Sequence, residues 1–221
     1  MPSSILHPPS SLAQSANGII LRTRPLTETS LIVHWLTPEL GRIATVAKGA
    51  RRPKSSFRGK LDLFYEADFS FQRSRRSELH ALREVSLRDT HPALRTDYGY
   101  VQQASYAAAL IEQTTETDTP IPEIHELFQS FLAALPHQPP QPRNVYAWEL
   151  KLLEELGQHP NLEQTELTPG TKQLVNNLVT RDWPAIAALK ATAAQARELR
   201  QFLHGFLIFH LGKIPAGRGE N

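Results

Sequence analysis

"LDLFYEADFSFQ", Leu61 to Gln72, alternates from end to end. Leu61, Leu63, Tyr65, Ala67, Phe69 and Phe71 share one parity; Asp62, Phe64, Glu66, Asp68 and Ser70 share the other. Strand side chains point to opposite faces in turn, so this period predicts one strand with one buried face. Upstream, "GIILRTR" (Gly18–Arg24) and "TSLIVHWL" (Thr29–Leu36) are rich in β-branched and aromatic residues, with the turn-like "PLTE" (Pro25–Glu28) between them. "TPELG" (Thr37–Gly41) is a second turn, and "RIATVAK" (Arg42–Lys48) sets Ile43, Thr45 and Ala47 on one face. "SELHALREVSL" (Ser77–Leu87) fits either period; the short "RSRR" before it favours a hairpin. Five short strands in one stretch predict a small closed barrel. Closure removes sheet edges, and the OB-fold is the common five-stranded solution.

After Thr90 the spacing becomes helical. Tyr98, Val101, Ser105, Ala108 and Glu112 recur near helical spacing, with Asp97 as a cap. Ile124, Leu127, Phe128, Phe131 and Leu135 form a second face. "PHQPPQP" (Pro136–Pro142) is a stiff link that no helix crosses. Beyond it Val145, Trp148, Leu152 and Leu156 make a stripe, with Asn144 as candidate cap and Gly157 as stop. A shorter helix follows in Thr168–Trp183. In Ala193–Gly212, Leu199, Phe202, Leu203, Phe206, Phe209 and His210 form a wide apolar face. Such helices pack together, so the expected class is α+β: an extension over 1–16, an OB barrel over 17–89 and an all-helical domain over 90–221.

The 221 residues contain no cysteine, which excludes disulfides, thiol nucleophiles and thiolate zinc sites within them. No run is long and apolar enough for a membrane span, and "MPSSILHPPSSLAQSA" has neither the basic nor the apolar region of a secretory signal. The expected location is cytoplasmic. The net charge of +2 hides an asymmetry: residues 1–100 hold 15 Lys and Arg against 9 Asp and Glu, and the rest hold 9 against 13. A basic first half points to an anionic partner.

The charge concentrates in "VAKGARRPKSSFRGKL" (Val46–Leu61), with Lys48, Arg51, Arg52, Lys54, Arg58 and Lys60 and no carboxylate. A nucleotide-binding P-loop from Gly49 fails, since position 54 is Lys where a Gly is required. The histidines lack metal-ligand spacing, no G-x-S-x-G occurs, and the adjacent pair Glu154–Glu155 splays apart on a helix. No metal, cofactor or catalysis is expected. Six cations without anions repel one another until a polyanion neutralises them, so the segment reads as a phosphate-contacting loop; the bland alternative is a solvated loop. Arg42 adds to it by charge, and Arg73, Arg75 and Arg76 form a second cluster at the next hairpin tip. Phe57 and one of Phe64 and Tyr65 are candidates for stacking on bases, or for packing.

"LRTRPLTETSLIV", "GRIATVAKGARRPKS" and "LDLF", followed by "WELKLLEELGQHPNL" (Trp148–Leu162) and "LRQFLHGFLIFHLG" (Leu199–Gly212), resemble the bacterial DNA repair protein O (RecO) family over residues 17 to 213. The resemblance implies an OB barrel followed by a helical domain. It implies a non-enzymatic mediator that binds single- and double-stranded DNA, anneals complementary strands and helps load the recombinase RecA. It implies the partners RecR and the acidic C-terminal tail of single-strand-binding protein, and no membrane. By that resemblance Lys48, Arg51, Arg52 and Lys54 are DNA contacts; Arg58 and Lys60 follow from charge. A helical groove with a basic rim would take the acidic tail, with Arg143, Lys151, Arg197 and Arg200 as rim candidates. The sequence departs from the family where many members carry a four-cysteine zinc site: "PNLEQTELTPG" runs straight into the next helix. The leader also looks longer than the family's usual start. The alternative from another class is a scaffold whose basic loop binds an acidic protein.

Overall fold

A computed structural model describes residues 13–219. Residues 13–90 with Thr117–Pro120 form one compact unit, and His91–Glu116 with residues 121–219 form the other.

The first unit is a closed barrel of β1 (Ala13–Pro25), β2 (Leu31–Thr37), β3 (Gly41–Ala47), β4 (Glu66–Gln72) and β5 (Leu79–Asp89). The order around it is β1-β2-β3-β5-β4, with β3 and β5 parallel and the other pairs antiparallel, the OB-fold arrangement. Alternation explains the core: Val33, Trp35, Ile43, Ala47, Ala67, Phe69 and Phe71 face inward and are buried. Trp35 stacks on Phe69 with centroids 4.0 Å apart, and its indole N–H donates to Thr45 Oγ1 at 2.8 Å. Gly41 has φ +66°, and a Cβ there would lie 1.8 Å from the Thr119 carbonyl oxygen. Glycine thus lets Thr117–Pro120 approach β3, where Thr117 bridges Arg42.

Three expectations change here. Residues 1–12 of the expected extension lie outside the described residues, whereas Ala13 to Ala16 belong to β1 and pair with Gln72 to Phe69. The long alternation yields a strand only from Glu66. Phe64 has φ +64°, its N–H donates to the Ile20 carbonyl at 2.8 Å, and the Ile20 N–H donates to Tyr65 O at 3.0 Å. Leu61–Tyr65 therefore turns across β1, with Asp62 Oδ1 accepting from the Leu63 N–H at 2.8 Å. Third, Phe57 and Phe64 are buried, so neither is a stacking surface.

The second unit holds α1 (Tyr98–Thr114), α2 (Pro122–Ala134), α3 (Pro142–Glu155), α4 (Pro169–Thr180), α5 (Trp183–Ala188) and α6 (Ala193–Leu211). Asp97 caps α1 through Gly99 N, as its position predicts. Helix α3 is buried on nearly every side, as expected for a central helix, and Trp148 packs against Phe128 and Phe131. Asn144 is not the cap of α3: Pro142 opens the helix, and the Asn144 amide donates to Pro139 O at 3.0 Å. On α6 the buried residues are Leu199, Leu203 and Leu207; Phe209 is 84% exposed and His210 is exposed. The apolar face is narrower than its composition predicts. No described helix is long and apolar enough to cross a membrane.

Candidate nucleic-acid interface

The segment between β3 and β4 is a chain of tight turns. Ala50, Arg52, Ser55, Arg58 and Lys60 each donate a backbone N–H to the carbonyl three residues earlier. Phe57 anchors the chain in the barrel core. The Arg51 N–H donates to Thr29 O at 3.0 Å and its guanidinium to Thr27 O at 3.4 Å, tying the loop to the β1–β2 turn. Lys60 Nζ donates to Val85 O at 3.0 Å, so this lysine is partly buried and committed. Lys48, Arg51, Arg52, Lys54 and Arg58 are exposed, and among the described residues no salt bridge neutralises them. Bound chain turns thus hold five unneutralised cations on one rigid loop.

The second cluster is not beside the first. Parallel pairing of Ala44 with Leu79 and Val46 with Ala81 runs β5 alongside β3. The tip holding Arg73, Arg75 and Arg76 precedes Leu79, so it lies toward the Gly41 end, while the loop leaves from Ala47. Along β3 that is about 20 Å. Arg73 pairs with Asp118, whose N–H donates to Arg42 O at 2.9 Å; Arg75 and Arg76 are exposed. Between the ends stand cations that sequence reasoning passed over. Arg22 pairs with His34 across β1 and β2, and Arg24 lies at the loop end of β1. Burial, then Arg22, Arg24 and Arg42, lower the His34 pKa from 6.5 to about 4. Both arginines are exposed, but an isolated cation on a strand has no motif to mark it.

In the helical unit, Arg143, Arg197 and Arg200 meet at a groove of about 440 Å³ walled by Tyr146, Leu174, Leu178 and Leu199. Arg143 donates to Leu189 O at 2.5 Å, and burial lowers its pKa. Lys151 is not at this groove. Its Nζ donates to Val179 O at 2.6 Å and lies 5.5 Å from the Trp183 ring centroid, and burial lowers its pKa. Among the described residues no cluster of three or more His, Cys, Asp or Glu could hold a metal ion.

The strand order and the appended helices define an OB-fold protein with a helical second unit. Residues 12–91 match the family model "Recombination protein O N terminal", and residues 95–166 match "Recombination protein O C terminal". A DNA repair protein RecO of Anaeromyxobacter sp. (strain K) is 34% identical over 235 residues, covering 91% of this chain and 92% of that protein. One of Anaeromyxobacter dehalogenans (strain 2CP-C) is 28% identical over the same shares. One of Rhodopirellula baltica is 31% identical over 65% of this chain and 53% of its own length. The chain belongs to the recombination protein O family, which places it in DNA repair and recombination.

Proposed function

We propose that this chain is a non-enzymatic recombination mediator that binds single- and double-stranded DNA through the barrel, anneals complementary strands and helps load the recombinase RecA. The observation that carries this reading is the turn-built loop with Lys48, Arg51, Arg52, Lys54 and Arg58 exposed and unneutralised. Each cation that meets a phosphate releases condensed counterions, and two strands held in a cationic field repel each other less. Arg24, Arg22 and Arg42 extend that field over the first three strands, and Arg75 and Arg76 flank it at the far end. Contacts of this kind are to the backbone, so sequence preference is weak.

The groove of Arg143, Arg197 and Arg200 takes the acidic tail of single-strand-binding protein: apolar walls for its aromatic end, guanidiniums for its carboxylates. RecR is the further partner, and the protein works in the cytoplasm on the nucleoid. The test is annealing of two labelled complementary oligonucleotides. Unaltered protein accelerates it; Lys48→Ala, Arg51→Ala, Arg52→Ala together abolish most of the acceleration. If an acidic protein displaces nothing from the loop while plain single-stranded DNA does, the scaffold alternative falls.

A further inference from the structure

Beyond α6 the chain turns at Gly212, with φ +73°, and returns over its own unit. The returning segment buries little of itself: Lys213, Ala216, Gly217 and Gly219 are exposed. Arg218 is the exception, 9% exposed. Its Nε lies 2.7 Å from Glu149 Oε1 and its Nη2 2.8 Å from Oε2, a bidentate fork on a fully buried carboxylate. Tyr106 donates its hydroxyl to the same carboxylate at 2.6 Å, and Arg218 Nη1 lies 3.5 Å from His204 Nδ1. Glu149 without Arg218 would be a buried charge with no cation, so the fork holds the whole segment in place.

This fork touches the groove wall. The Arg218 guanidinium lies over the Tyr146 ring, 5.6 Å from its centroid. Tyr146 and Arg200 line the groove described above and also a second cleft, closed by Arg218 with Gln201, His204 and Gly205. Tyr146 thus lines both the groove and the cleft that Arg218 closes. A ring already held by the guanidinium loses less freedom when a ligand packs against it.

We propose that residues 213–219 are a clasp on the groove, in which Arg218 acts as a positioning residue by holding Tyr146, so that clasp seating and acidic-peptide binding favour each other. The inference rests on the groove reading under Proposed function. Coupling of two equilibria is reciprocal: what the clasp adds to peptide affinity, the peptide adds to clasp seating.

The test uses the full chain and a short acidic peptide that ends in phenylalanine and lacks Lys and Arg. Trypsin cleaves after Arg218 only when its guanidinium has left Glu149. Intact mass followed over time gives that rate, with cleavage at the exposed Arg75–Arg76 tip as internal reference. Saturating peptide is expected to slow cleavage after Arg218 by on the order of fivefold and to leave the reference unchanged. An unchanged Arg218 rate with bound peptide overturns the clasp and leaves the groove reading intact. Failure of the unaltered chain to bind the peptide overturns both. In a second arm, Glu149→Leu, Arg218→Met and Tyr106→Phe together remove the network without orphaning a charge. The folded variant is expected to bind peptide about fivefold more weakly; equal affinity contradicts the clasp.

Discussion

The Arg51 backbone N–H donates to the Thr29 carbonyl at 3.0 Å, so the basic loop is stitched to the turn that joins β1 and β2. With Phe57 sunk in the barrel core, the loop is held at two points. Its cations are ordered before any ligand arrives, which lowers the entropy lost on binding.

Phe57→Ala should therefore affect fold and function together. Removing a buried phenyl group costs about 3 kcal/mol of stability. At temperatures where the barrel is still folded, DNA affinity should fall although no charge has changed. Urea unfolding and DNA titration of the same variant check both halves; undiminished affinity would show that the anchor does not order the loop.

Asp118 neutralises Arg73 at the end of the barrel opposite the loop. The pair is partly exposed and worth little to stability. Asp118→Asn should thus leave the melting temperature nearly unchanged while raising affinity for single-stranded DNA about twofold at low salt, through the freed guanidinium. Arg73→Ala alone should weaken binding less than Arg52→Ala does. Titrations of the three variants under one salt condition check the order.

His34 gives a pH signature. Its folded-state pKa is about 4, below the unfolded value of 6.5, because burial and then Arg22, Arg24 and Arg42 disfavour the imidazolium. The unfolded chain takes up this proton first as pH falls. The stability associated with His34 is complete above about 6.5 and is lost as pH drops toward 4. Phosphates bound among the three arginines would offset their field and raise the pKa. NMR titration of His34 with and without an oligonucleotide should show that upward shift; no shift would place the DNA away from these strands.

The groove separates two residues that look alike in sequence. Arg197→Glu with Arg200→Glu should weaken an acidic peptide on the order of tenfold, because both line the groove. Lys151→Ala should leave peptide affinity unchanged and lower stability by about 1 kcal/mol, since its ammonium serves Val179 O and the Trp183 ring. Peptide anisotropy and thermal melts distinguish these outcomes.

Local pattern carried much of this architecture. Alternation in Arg42–Lys48 put Ile43, Thr45 and Ala47 on one face, which the structure buries, and Asp97 and Gly157 marked helix ends that the structure shows. Pattern failed where distant backbone decides. Phe64 keeps parity in the alternating run yet adopts a left-handed conformation, where its N–H donates to the Ile20 carbonyl and the Ile20 N–H donates to the Tyr65 carbonyl. The separation of the two basic clusters depends on the parallel β3–β5 pairing, which leaves no periodic trace. Arg218 and Glu149 meet across 69 residues, and nothing near either announces the other. The exposed Phe209 shows the converse: an apolar residue at helical spacing need not be core.

The most direct test of the central claim is anisotropy of labelled single-stranded DNA against salt concentration, for the unaltered chain and for the Lys48→Ala, Arg51→Ala, Arg52→Ala variant. The unaltered chain should bind tightly and weaken steeply with salt, with a logarithmic slope shallower by about two in the variant. Equal affinity and equal slope for the two proteins would contradict that claim and move the DNA off this loop.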